Sequence, residues 1–168
     1  MGKEITKNRR LDQYDRNILE VLSVEGRLPV TELANRVGLS KTPCQSRLKR
    51  LQEDNFIKGF RAELNLQLLG LEHIAFAEVK LKDTTEKALS DFNREVAKIR
   101  EVEQCHMIAG QFDYLIKVRT QDIQAYRRVL GEQISTLPHV MSTSTYVSMQ
   151  AVIEDGIMLG LPKASAAK

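Results

Sequence analysis

The sequence predicts an α+β fold in two units, and three observations predict it. Apolar residues recur at helical spacing three times before Phe56, with a glycine closing the second segment. From His73 onward the apolar period switches between 2 and 3.6 residues in the order strand, helix, strand, strand, helix, strand. Between the two patterns lies residues 57–70, which read as a linker strand and a hinge. The expected organisation is a flexible arm over 1–10, a winged-helix-like, three-helix helix-turn-helix domain over 11–56, the linker over 57–70, a ferredoxin-like βαββαβ domain over 71–153, and a tail over 154–168.

Each helix of the first unit has its own signals. Asp12 is a natural N-cap for a helix over Asp12 to Glu25, and Asp15 adds negative charge to the first turn. Leu11, Ile18, Leu19 and Leu22 form its inward stripe, and Gly26 ends it. The second helix carries Leu33, Ala34 and Val37 on one face. Gly38 stops it, because glycine enters the left-handed conformation at little cost. Leu39 and Ser40 complete a tight turn. The third helix directs Leu48 and Leu51 inward, with Cys44 on the same side and Phe56 and Ile57 just past its end. Two starts are open for it. Ser40 is the cap and Pro43 sits in the first turn, where a missing N–H costs nothing; or Thr42 is the cap, Pro43 the first residue and Gln45 the closing member of a capping box.

The polar face of that third helix shows Lys41, Gln45, Ser46, Lys49 and Arg50, with Arg47 near its edge and no acidic residue before Glu53. A short helix with amide, hydroxyl and cationic groups, braced by a preceding helix, is what the major groove of duplex DNA admits. A solvated helix face is the plain alternative. The charge distribution favours the groove. Residues 1–65 hold 13 lysines and arginines against 9 aspartates and glutamates, whereas residues 66–168 hold 12 against 13. Positive charge thus belongs to the half with the helix pair, as phosphate binding requires. Lys58 and Arg61, in IKGFRAEL, are weaker candidates for phosphate.

In the second unit Ala75, Ala77, Val79 and Leu81 share one strand face. Asp83 and Glu86 read as a capping pair before a helix with Leu89, Phe92, Val96 and Ile99 on one side. Val102 to Ala109 reads as a strand, Gly110 to Asp113 as a hairpin turn, and Tyr114 to Thr120 as the return strand. A helix from about Asp122 is expected to turn Ile123, Tyr126, Leu130 and Ile134 inward, until Pro138 breaks it. Val140 to Val152 is the last strand. Two helices on one face of a four-stranded sheet leave the other face bare. A bare, partly apolar face needs a partner, and a second copy is the simplest.

Composition excludes several classes. Apolar residues make up 42% and charged residues 28%, as in soluble globular chains. No apolar run approaches a membrane span or a signal-peptide core, so a cytoplasmic, nucleoid-associated protein is expected. Cys44 and Cys105 are far apart and are expected as free thiols. His73, His106 and His139 are scattered, so no metal site is expected. Asp12, Asp15, Glu101 and Glu103 are expected as exposed charges. With no phosphate loop and no nucleophile elbow, no catalytic residue and no cofactor are expected.

The segments LDQYDRNILEVL, GRLPVTELANRVGLSKTPCQSRLKRLQEDNFIKGF and HMIAGQFDYLIKVRTQDIQAYRRVLGEQISTLPHVMSTSTYV together resemble the leucine-responsive regulatory protein/AsnC family, the feast/famine regulators. The resemblance runs from about Leu11 to Val152. SKTPCQSRLKRL, GLEHIAFAEVKL and STSTYVSM are most similar to the branch regulating amino-acid catabolism, which includes activators of proline dehydrogenase and of branched-chain keto-acid breakdown. The resemblance implies a DNA-binding first domain and a second domain for amino-acid sensing and oligomerisation, in homodimers that assemble into tetramers or octamers. By position it implies DNA contacts from Ser40, Lys41, Thr42, Gln45, Ser46, Arg47, Lys49 and Arg50. It places an amino-acid effector between subunits near the hairpin turn, implicating Gly110, Asp113 and Tyr114, then Met107, Ile123, Tyr146, Val147 and Ser148. Ser148 departs from the aliphatic residue common there in relatives. Asp113 suits an effector ammonium and the N–H groups of the turn suit its carboxylate; equally, Asp113 suits capping of the turn.

Three functions follow as expectations. The first is an amino-acid-responsive transcription regulator of a catabolic or more global kind. The second is a regulatory or assembly subunit of a metabolic enzyme, which would have no need of the basic first half. The third is an effector-independent architectural DNA-binding protein.

Overall fold

A computed structural model describes residues 11–154. The expected arm over 1–10 and nearly all of the tail over 154–168 lie outside the described residues. The chain forms two compact units, one reaching to Glu63 and the other spanning Leu64–Val152.

The first unit is three helices: α1 (Gln13–Val24), α2 (Val30–Val37) and α3 (Lys41–Glu53). Asp12 caps α1 through a capping box. Its Oδ1 accepts from the Asp15 N–H at 2.9 Å, and Asp15 Oδ2 accepts from the Asp12 N–H at 3.1 Å. Gly38 closes α2 with φ +72°, and the Leu39 N–H returns to the Ala34 carbonyl at 2.9 Å. The open question at α3 is decided for Ser40: it is the cap residue and has extended backbone, but its side chain makes no capping bond. Pro43 therefore sits in the first turn. Ile18, Leu33, Ala34, Val37, Cys44 and Leu51 are buried together, and Leu11, Leu19, Leu22, Leu48 and Ile57 close around them. Residues 57–64 pair with no strand, so the expected wing is an irregular segment. Gly59 interrupts its alternation, and Phe56 and Phe60 stay 43% and 47% exposed.

The second unit is β1 (His73–Leu81), α4 (Glu86–Val96), β2 (Val102–Met107), β3 (Tyr114–Thr120), α5 (Ile123–Val129) and β4 (Val140–Val147). The sheet order is β2-β3-β1-β4, all antiparallel, as the ferredoxin-like topology requires. In register, Ala77 faces Ile116 on one side and Thr145 on the other. Ala75, Ala77, Val79, Tyr114, Ile116 and Val118 form one core with Phe92, Val96, Tyr126, Val129 and Ile134 of the helical layer. The Phe92 and Tyr114 rings lie 4.3 Å apart.

Five details depart from the expected pattern. Thr85, rather than Asp83 with Glu86, caps α4. Its hydroxyl accepts from the Ala88 N–H, while Asp83 accepts from the Thr85 N–H and hydroxyl. Val102 to Ala109 is strand only to Met107, and the last strand stops at Val147 rather than Val152. Ile123 is the first residue of α5 and is exposed, because the buried face begins one turn later at Tyr126. The helix then ends in one π-helical turn, Leu130–Ile134, closed by the Ser135 N–H on the Leu130 carbonyl at 2.8 Å. Ile134 stays buried at the end of that turn.

Candidate nucleic-acid interface and effector site

The third helix divides its polar residues between two directions. At 3.6 residues per turn, Lys41, Thr42, Gln45, Ser46 and Lys49 share an arc of roughly 140°. All five are exposed, as is the cap residue Ser40. Opposite them Cys44 and Leu51 are buried in the core. Arg47 and Arg50 fall outside the arc and turn back toward α1. Arg47 Nη1 reaches Asp12 Oδ2 at 2.5 Å and Asp15 Oδ1 at 2.9 Å. Arg50 Nη2 reaches Asp15 Oδ2 at 2.5 Å. The Arg47 guanidinium also lies 5.5 Å from the centre of the Tyr14 ring.

Asp15 corrects the expectation of exposed charges, because it is 1% exposed. It sits on the inward stripe of α1, one turn before Ile18, and a carboxylate cannot stay there without partners. The two guanidinium groups and the Asp12 N–H are those partners. Burial pushes the Asp12 carboxyl up, but the Asp15 N–H and Arg47 outweigh it and hold the group below the usual carboxylate range. Its hydrogen bonds to Asp12 and Asp15 push Arg47 above its ordinary value. Sequence reasoning missed this network. The signal was there: Asp15 shares a face with Leu11, Ile18, Leu19 and Leu22, where a charge demands explanation. Glu103 is exposed, as expected, but paired: it bonds Arg119 and, at 2.9 Å, Lys117.

The effector candidates fall at opposite ends of the sheet. Met107, Gly110, Asp113 and Tyr114 lie at the β2–β3 hairpin, beside Val79 of β1, whose carbonyl accepts from the Asp113 N–H at 3.0 Å. Tyr146 and Val147 pair with Phe76 and Ala75, and the Ser148 N–H donates to the Ile74 carbonyl. Ile123 follows Thr120, which pairs with His73, so it belongs to that second end. Val79 and Ala75 are four residues apart, or about 13 Å along the strand. One protomer therefore does not gather the eight residues around a single small ligand.

Asp113 makes a contact that neither of its two readings anticipated. Its Oδ2 accepts from the Leu81 N–H at 2.7 Å, next to the irregularity in β1–β4 pairing at Lys80 and Leu81. It ties the hairpin to β1 rather than capping its own turn. Its Oδ1 has no hydrogen-bond partner among the described residues. Tyr114 is 2% exposed and faces the helices, so it offers a candidate effector only its backbone. Met107, Ile123, Tyr146 and Val147 are exposed, and Ser148 is half-buried. Cys44 is buried and Cys105 half-buried; burial pushes the Cys105 thiol up to about 11. Among the described residues, no group of three His, Cys, Asp or Glu side chains is arranged to hold a metal ion, and no helix is long and apolar enough to cross a membrane.

Known proteins share both halves of this arrangement. Residues 11–58 match the winged helix-turn-helix DNA-binding family, and residues 74–158 match the Lrp/AsnC ligand binding domain. The chain is 67% identical over 147 residues to the proline dehydrogenase transcriptional activator of Rhizobium radiobacter, covering 88% of this chain and 94% of that protein. It is 44% identical over 142 residues to the leucine-responsive regulatory protein of Escherichia coli K12, covering 84% and 87%. Among solved structures, a transcriptional regulator from Neisseria meningitidis in complex with L-Met superposes with a TM-score of 0.83 at 29% identity, over 89% of this chain and 97% of that one. With the helix-turn-helix unit and the ligand-binding-domain match in the same order as in these proteins, the chain belongs to the Lrp/AsnC family, whose members here are DNA-binding transcription regulators and not enzymes.

Proposed function

We propose that this regulator controls a gene of amino-acid breakdown, that of proline in the first place, in response to a small amino acid. The relationship to the activator from Rhizobium radiobacter carries the assignment, since the aligned stretch spans α3 and all four strands. The acting form is a homodimer, or a tetramer or octamer assembled from such dimers, in the cytoplasm on the nucleoid. Two copies of α3 read half-sites about one helical turn apart, roughly 34 Å.

The effector site is shared between protomers. One supplies the hairpin end, with Asp113 for the ammonium, the N–H groups of the turn at Gly110 for the carboxylate, and Met107 beside them. The other supplies residues from the Ile123, Tyr146, Val147 and Ser148 end. The split placement of these residues within one chain supports this arrangement. A ligand held so favours one association of dimers over another, with a coupling on the order of 1–3 kcal/mol.

The test is a thermal-shift screen of the twenty amino acids, repeated with Asp113→Asn. Asparagine keeps an oxygen for the Leu81 N–H and removes the charge. The expected result is a shift with one or a few small amino acids, proline among them, that Asp113→Asn abolishes while DNA affinity persists. An unchanged ligand response in the variant retires the ammonium site. A response confined to other amino acids retires proline.

A further inference from the structure

We propose that Asp15 is a positioning residue for DNA binding: it withholds Arg47 and Arg50 from the duplex and so sets how much of the charge of α3 the phosphates meet. The inference rests on the DNA-binding function of the family and adds a division of labour within the helix.

The geometry is specific. Arg47 lies roughly 160° round the helix from Gln45, and Arg50 roughly 140°. Both are drawn toward α1 by Asp15, 1% exposed, with Asp12 as a second acceptor for Arg47. Two carboxylates thus face two guanidinium groups, and the cluster is formally neutral. The open arc is left with Lys41 and Lys49 as its cations, and Lys49 lies 3.7 Å from Glu53. Gln45, Ser46 and Thr42 hold the central positions, where amide and hydroxyl groups match base edges.

The arrangement has a physical consequence. Phosphate contacts raise affinity for every sequence alike and carry no information, and each contact adds about 0.9 to the slope of log affinity against log salt. Two arginines free to reach phosphates would strengthen binding to random DNA and dilute base discrimination. Pairing them inside the domain also braces α3 on α1, which fixes the angle at which the open arc enters the groove.

The experiment uses the full-length protein, a duplex that the wild type selects from a random pool, and a scrambled duplex of the same length. Affinities are measured between about 50 and 200 mM salt. Asp15→Asn is expected to steepen the slope by about 0.9 for each arginine that gains a phosphate, and to strengthen scrambled binding more than selected binding. Adding Arg47→Gln and Arg50→Gln to that variant is expected to return the slope to the wild-type value, which a loosened domain would not do. An Asp15→Asn protein with native circular dichroism and an unchanged slope and ratio overturns the proposal and leaves Asp15 as a structural strut. If Asp15→Asn does not fold, Arg47→Gln decides. Unchanged slope and unchanged preference at each base support the proposal; a lower slope, or lost preference at one base, overturns it. Failure of the wild type to bind any duplex is a failure of the DNA-binding function itself, and the reference measurement shows it separately.

Discussion

Asp12 acts twice at the head of α1. Its carboxylate accepts from the Asp15 N–H and also receives Arg47. Because the folded state holds this carboxyl below its ordinary value, the stabilisation is fully present above the unfolded carboxylate value, 3.8, and is lost as pH falls through the lower folded one. The Asp12 side chain is 48% exposed, so solvent screens the ion pair and the cap is the larger part. Asp12→Ala is expected to cost ~1 kcal/mol at pH 7. The difference from wild type should shrink below pH 4, checked by denaturant unfolding over that range. Asp15, three residues on, shows how much one buried carboxylate decides. Its position on the apolar stripe was plain in the chain; its partners, 32 and 35 residues away, were not. Asp113 repeats the lesson, since its 2.7 Å bond goes to Leu81, 32 residues back.

The elements were readable wherever local chemistry decides them. The Asp12 cap, the Gly38 stop, and the alternation of β1 and β3 each depend on neighbours within a few residues, so periodicity located them. Gly38 has φ +72°, and a Cβ added there would meet no atom within 4 Å. Gly38→Ala is therefore expected to cost only the conformational penalty, ~1–2 kcal/mol, with no steric clash. Chemical denaturation should show that loss, and the L-residue at positive φ should leave the α2–α3 turn in place in the amide spectrum. Element ends were harder to place. Thr85 took the cap from Asp83 because its hydroxyl, not the carboxylate, lies under the free Ala88 N–H in the first turn of α4. No local period announces the π-helical turn after α5, although Ile134 itself lies on the helical stripe that Tyr126 and Leu130 begin.

At the scale of the molecule there are two separate cores, one of six buried residues around Ile18 and Leu33, the other between the sheet and its helices. The second depends on Phe92, which is fully buried against Tyr114. Phe92→Ala is expected to cost about 3–5 kcal/mol, and amide exchange should show the loss of protection across β1 and β3. The opposite sheet face carries Phe76, Leu115, Glu78 and Lys117, all half-buried within one protomer, and Arg119, which is buried. By itself the sequence determined the two-unit order, the strand and helix series, the open arc of α3 and the family, because each is written in local periods and short motifs. Tertiary structure alone decided which arginines of α3 are spent on α1, and that the eight effector candidates lie at two ends of one sheet. Both follow from the crossing of elements distant in the chain, where a buried charge or a strand register selects its partner by proximity in space, and no local pattern encodes that distance.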